Sequence, residues 1–249
     1  MGEPGESSTG SAEPRQRGFS LRHPASRPWA TACTVCLILM ALVGALAVDF
    51  LLPDTRDLPF VRDNLPIADS ELHQNHVRLV FISRAAIVLG AVAALTWLSW
   101  QYLAHSNAQA LSGRKGRLLP ALGLVSWFLP GLNLILPPLV MWDLLWASNP
   151  DSVSSEGRQR DPFVLLVALW WIGWLAGLVL LYIGFRPIFD GHPTPSELIT
   201  RDRFAIAAGL VSIPTAALAA ILMAQINARQ VLKEDRLVYR DWVGWSKTA

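Results

Sequence analysis

Charge is what this sequence has least of. Only 16% of its 249 residues are Asp, Glu, Lys or Arg, while 52% are hydrophobic. Soluble domains carry about 25% charged residues, so a chain this apolar needs an apolar solvent. A net charge of +2 supplies no basic face for gripping phosphate backbones, which excludes nucleic acid as a partner. Cysteine is nearly missing too: Cys33 and Cys36 are too few for a disulfide framework or a four-ligand zinc site. Their i, i+3 spacing puts both on one side of a helix, as a redox pair or as two small buried side chains; burial is the expectation. Phosphate-binding loops, dinucleotide fingerprints and serine-hydrolase patterns are absent, since Ser83, Ser99, Ser126 and Ser212 have no neighbouring His and acid in register. The expectation is a protein that is not an enzyme, with no catalytic residue, cofactor or bound metal.

What is present is hydrophobic length. The charges cluster and leave five apolar segments, 29–52, 79–103, 118–142, 163–185 and 204–228. About 20 helical residues cover a hydrocarbon core of about 30 Å, so the fold expected is an all-α integral membrane bundle of four to five transmembrane segments. Residues 1–28 are rich in Gly, Ser, Pro, Glu and Arg and read as a disordered tail. Arg15, Arg17, Arg22 and Arg27 favour a cytoplasmic N-terminus in a cell membrane. A small-x-small site at Ala45 to Ala47 raises a cleaved signal peptide, but the long tail and the length of the apolar run argue for a retained span.

Between the first two spans, 53–78 is polar and reads as an external loop. His73 and His76 stand at helical spacing near Asp69 and Glu71, without the third ligand a metal site needs. Arg84, six residues beyond Arg78, is placed to snorkel to the interface rather than to act at depth. Trp97, Trp100 and Tyr102 close the second span and read as an aromatic belt. Beyond Ala228, residues 229–249 alternate charge with Val231, Leu232, Leu237, Val238, Trp242 and Trp245, a pattern suited to an amphipathic tail lying on the inner leaflet.

The segment 118–142 is different. It holds Pro120, Pro130, Pro137 and Pro138 with the polar Asn133 among them. Proline inside a helix removes a hydrogen bond and costs about 3 kcal/mol, so a break near Pro130 and a restart near Pro137 are predicted. If the segment spans, 10 Lys and Arg fall on each side, leaving Arg84 aside. If it re-enters, 14 fall inside and 6 outside. The positive-inside bias favours re-entry with both termini cytoplasmic. Broken backbone at that depth must be covered by protein or line a wet cavity.

From Trp100 to Ser148 the residues resemble a known family. Trp100, Tyr102, Asn107, Ala108, Ala110, Leu111, Gly113 and Pro120 lead into Trp127, Phe128, Pro130, Asn133, Leu134 and Pro137, then Met141, Leu144, Ala147 and Ser148. The run from Trp127 keeps a W-F-x-P-x-x-N-L-x-x-P spacing without a gap, and Ala228, Arg229 and Gln230 also fit. This is similar to the domain of unknown function 4328 family, multi-pass membrane proteins of actinobacteria. The resemblance implies a membrane bundle and brings no activity with it. Basic residues that the family often carries are replaced here by Ser106, Leu136, Trp142 and Trp146.

Among candidate residues, Asn133 stands out because an unsatisfied amide in hydrocarbon is costly; it is expected to cap broken helix ends, or else to face a cavity. His105 and Asn107 are expected to reach the helix restarting at Pro137. Asp143 is a surface charge at the interface, and a functional candidate only if buried. Gly173 and Gly177 have GxxxG spacing, and Ala205 and Gly209 a small-xxx-small spacing, for packing inside the bundle or between two copies. The spans lack ionisable residues at their centres, so a scaffold, sensor or regulatory partner is expected. The alternative is a small transporter or channel for a neutral or apolar solute, gated by the Pro-broken element. Membrane lipids are the expected surroundings and partners.

Overall fold

A computed structural model of the chain describes residues 26–62, 69–112, 119–150, 161–189 and 195–246, and every regular element among them is helical. In chain order these are α1 (Ser26–Arg62), α2 (Asp69–Ser112), α3 (Pro120–Val125), α4 (Leu136–Ala147), α5 (Phe163–Phe189) and α6 (Pro195–Ser246). Helices satisfy all their backbone hydrogen bonds internally, which is what an apolar solvent demands. Four of them are long and apolar enough to cross a membrane, over Ser26–Leu51, Val80–Ser112, Phe163–Gly184 and Ile199–Tyr239. The chain is a multi-pass membrane protein built on those four spans.

Pairwise contacts give the directions. Asn107 meets Ser26, the Cys33 thiol meets the Ala93 carbonyl and Arg78 lies over the Phe50 ring, so α1 and α2 run antiparallel. Gly44 of α1 faces Gly209 and Ser212 of α6, while Gly173 of α5 packs against Thr215 and Gly184 against Phe204. Trp100 and Ala104 of α2 pair with Asn227 and Gln230 of α6, so these two helices are parallel. Ser26, Ser112 and Gln230 therefore share one end of the bundle, here the near end. Phe50, Arg78 and Gly184 share the far end.

The third apolar segment does not cross. α3 has six residues and α4 has 12, about 9 Å and 18 Å of helix against a core of about 30 Å. Between them lies a 3-10 turn at Leu132–Leu134, entered through Gly131 at φ 78°, a left-handed conformation that suits glycine. α3 and α4 fold back on each other, with Gly123 against Val140. The tip reaches the level of Trp97 and Trp174, and the return ends at Ser148, bonded to the Gln230 side chain that also binds Ala104. The segment enters and leaves at the near end as a re-entrant hairpin. Pro137 and Pro138 sit in the first turn of α4, where a missing N–H costs nothing.

Three expectations are corrected. Trp97 and Trp100 are buried inside the bundle and only Tyr102 is exposed, because residues three apart share a helix face and Tyr102 lies on the opposite one. The stretch read as an external loop is largely helical, with 53–62 continuing α1 and 69–78 opening α2. α6 runs unbroken for 52 residues, so 229–246 continue the last helix instead of starting a separate segment. The tail before residue 26 lies outside the described residues, as do residues 247–249, and His73 and His76 lie outside those whose side chains are described.

Candidate functional site

The hairpin wedges between α2 and α5, and tryptophans fill the seam. Trp97 of α2 stacks on Trp170 of α5 with centroids 5.3 Å apart, and Trp171 stacks on Trp174 at 4.8 Å. Trp127 at the hairpin tip meets Trp97, Trp170, Trp171 and Trp174 edge-on at 5.7 to 6.4 Å. Edge-to-face rings at these distances add about 0.5–1.5 kcal/mol each beyond their burial. Such rings join α2 to α5 while holding their backbones apart.

Polar side chains then satisfy the broken backbone. Trp127 Nε1 donates to Gln101 Oε1 at 3.0 Å, and Trp171 Nε1 donates to the Leu134 carbonyl at 3.0 Å. Ser126 Oγ donates to the Gly123 carbonyl at 2.7 Å. α6 clamps the far side of the hairpin: Lys233 Nζ donates to the Ala147 carbonyl at 2.7 Å and Arg229 Nη1 to that of Leu145 at 3.4 Å. Both cations sit at the C-terminal end of α4, where free carbonyls favour positive charge. Gln230 Nε2 bridges the Ala104 carbonyl at 2.8 Å and Ser148 Oγ at 3.1 Å.

Arg229 also holds Asp161, just before α5, through two bonds of 2.6 and 3.0 Å, and its guanidinium lies 4.7 Å from the Phe163 ring centroid. Burial pushes the Asp161 carboxyl up. The hydrogen bonds from Arg229, the Phe163 amide and the guanidinium charge outweigh it and hold the group below its ordinary value of 3.8.

The expected residues fall into this frame unevenly. Trp100 is fully buried with Nε1 donating to Asn227 Oδ1, and Asn107 is fully buried with Nδ2 donating to Ser26 Oγ at 3.2 Å. The His105 ring packs beside Gly123 of α3, with Nδ1 3.0 Å from the Gln101 carbonyl of its own helix and Nε2 buried without a partner among the described residues, so it does not bond to the restarted helix as expected. Asp143 is buried, which meets the condition set for it. Asn133 departs from expectation: neither the 3-10 turn nor α4 has a side-chain cap, and Trp171 takes the work assigned to it. Pro130 is exposed in the turn, and Pro137 is buried. Cys33 and Cys36 are buried and free. Sequence reasoning passed over Gln101, Lys233, Asp161 and the trio Trp170, Trp171 and Trp174. Those three tryptophans lie well inside a span, where an interfacial belt has no reason to be.

Above the tryptophan floor, toward the far end, the four spans line a half-open cavity of about 510 Å3. Its walls come from all four spans and from Trp127 and Phe128 of the hairpin. Alkyl and aromatic groups dominate. Ser212 and Thr215 contribute hydroxyls whose protons are already given to the Gly209 and Val211 carbonyls. Gly177 faces the open space, and a Cβ there would meet nothing within 4 Å, whereas a Cβ at Gly173 would collide with Thr215. The GxxxG pair is thus split between helix packing and cavity wall. Asn133 is not among the lining residues.

No curated protein and no solved structure matches this chain. A family model, Domain of unknown function (DUF4328), matches residues 63–228, about two thirds of the chain. That stretch takes in α2, the hairpin, α5 and most of α6, so the tryptophan seam and the hairpin itself lie within it while Arg229, Gln230 and Lys233 follow it directly, and the chain belongs to the DUF4328 family.

Proposed function

We propose that this protein is a non-catalytic binding protein of the cell membrane, a sensor or regulatory partner whose central cavity takes a neutral, apolar ligand. The observation that carries this reading is the cavity itself: about 510 Å3, within the size range of small-molecule sites, walled by four spans and floored by tryptophan rings. Its lining residues include no Asp, Glu, Lys, Arg or His, which favours an uncharged ligand. The hairpin supplies both Trp127 in the floor and α4 at the near end, so ligand contact at its tip is felt where Arg229, Gln230 and Lys233 grip its return. The lack of any paired nucleophile and base pattern in the sequence supports a role without catalysis. A solute carrier gated by the hairpin is the second reading, favoured by the discontinuous element at the cavity wall.

The same reading places both termini in the cytoplasm, on the Lys and Arg balance of 14 inside against 6 outside. It keeps membrane lipids as neighbours of the exposed apolar surface.

The test uses 1-aminoanthracene with purified protein, read by energy transfer from the clustered tryptophans. Wild type should show saturable transfer, and Gly177→Leu, whose Cβ meets nothing within 4 Å and whose side chain occupies the cavity, should lose at least tenfold in apparent affinity while remaining folded. Equal transfer in both proteins would remove the cavity as the site.

A further inference from the structure

We propose that the cavity is loaded sideways: the hydrocarbon chain of a bilayer lipid enters between α2 and α5, with Phe128 at the threshold and the headgroup left outside. This rests on the apolar-binding reading above.

Among the described residues, α2 packs on α1, α3, α4 and α6, and α5 packs on α4 and α6; the two are not themselves a packed pair. They meet through Trp97 on Trp170, and the hairpin fills the gap on the near side of that contact. On the far side the facing walls are Gly90 and Ala94 on α2 and Gly177 and Leu178 on α5, small or aliphatic groups that leave a slot. Phe128 lines the cavity yet is 70% exposed, and Leu178 and Leu181, also lining it, are exposed as well. A side chain that belongs to both the cavity wall and the outer surface marks an opening.

The outer surface of α2, α5 and the hairpin tip is hydrocarbon-facing. Val88 and Leu95 on α2, Ile172 and Val179 on α5, and Leu129 and Leu132 on the hairpin tip are all exposed and apolar, and the helical ones lie within the spans. Whatever approaches the slot at this depth is a lipid chain. The cavity has no cation among its lining residues, and its two hydroxyls donate to their own helix, so a phosphate finds no counter-charge inside. Only the apolar part of a lipid fits the chemistry of the walls.

The experiment reconstitutes the full chain in phosphatidylcholine vesicles doped with phosphatidylcholine bearing a mid-chain diazirine, followed by illumination and peptide mapping. Adducts are expected on the inner-wall residues Met40, Ala41 and Ala94 as well as on outward Val88 and Ile172. In Gly177→Leu the inner adducts should fall at least fivefold and the outward ones stay unchanged. Gly90→Leu, whose added Cβ has only the Met40 methyl within 4 Å, serves as a second filling variant should the first fold poorly. Adducts confined to outward residues overturn lateral entry. If 1-aminoanthracene still binds wild type and not the filled variant, the cavity reading survives that loss; if neither chain nor probe reaches the inner wall, both fall.

Discussion

Asp161 and Arg229 show how much a single pair organises at the near end, because the guanidinium that neutralises one carboxylate also reaches the Leu145 carbonyl and the Phe163 ring. A charge-assisted bond of this kind is worth about 1.5–3 kcal/mol. Asp161→Asn should lower stability by about 2 kcal/mol at pH 7, measured by thermal unfolding in detergent. The sign with pH follows from the depressed folded-state value: the contribution is complete above the unfolded value of 3.8 and fades as pH falls through the lower folded one. The gap between wild type and variant should therefore stay constant down to 3.8 and narrow only as pH falls below it. A difference that persists unchanged to pH 3 would mean the carboxylate charge is not what holds the pair. Glycines give a second contrast, since Gly173→Ala drives a Cβ into Thr215 and should cost about 1–3 kcal/mol, whereas Gly177→Ala should be near neutral. At this scale the sequence was only partly legible. GxxxG spacing marks a close helix contact but not which glycine makes it, and nothing local to Asp161 announces a partner 68 residues away.

The re-entrant hairpin is the element on which the architecture turns. Its prolines and its short helices were readable from composition, because proline cannot sit in a helix interior without losing a hydrogen bond. What covers the exposed carbonyls was not readable. Asn133 was the obvious local choice, but an indole from α5 takes the Leu134 carbonyl and two cations from α6 take those of Leu145 and Ala147. Long-range partners carry no local signal. The Gln101 and Trp127 pair is testable by a double-mutant cycle with Gln101→Leu and Trp127→Phe. Each single change leaves a buried partner unsatisfied and should cost about 1–3 kcal/mol, and the double should cost less than the sum by at least about 1 kcal/mol. Strict additivity would show that the bond does not pin the tip. The same logic explains the misread belt: Trp97 and Trp100 end an apolar run, as interfacial aromatics do, yet their spacing turns both inward onto other tryptophans.

For the whole molecule, four spans and one hairpin place an even number of crossings between α1 and α6. Fold class was legible in the sequence, since hydrophobic length and the scarcity of charge admit little else, and the charge balance already leaned toward re-entry. The cavity was not, because it arises where helices fail to touch. No spacing in any one segment reports the distance between α2 and α5, which is set by ring-on-ring contacts spread over three elements. The binding reading depends on that geometry, and the geometry depends on the third segment turning back rather than crossing.

The most direct test is labelling by a membrane-impermeant maleimide in a chain lacking Cys33 and Cys36, with single cysteines at Gly116, Ser154 and Thr194. The four-span account predicts that Gly116 and Ser154 label from one face of the membrane and Thr194 from the other. Labelling of Gly116 and Ser154 from opposite faces would mean that the segment between them crosses, and would contradict the re-entrant hairpin and the cavity floor built on it.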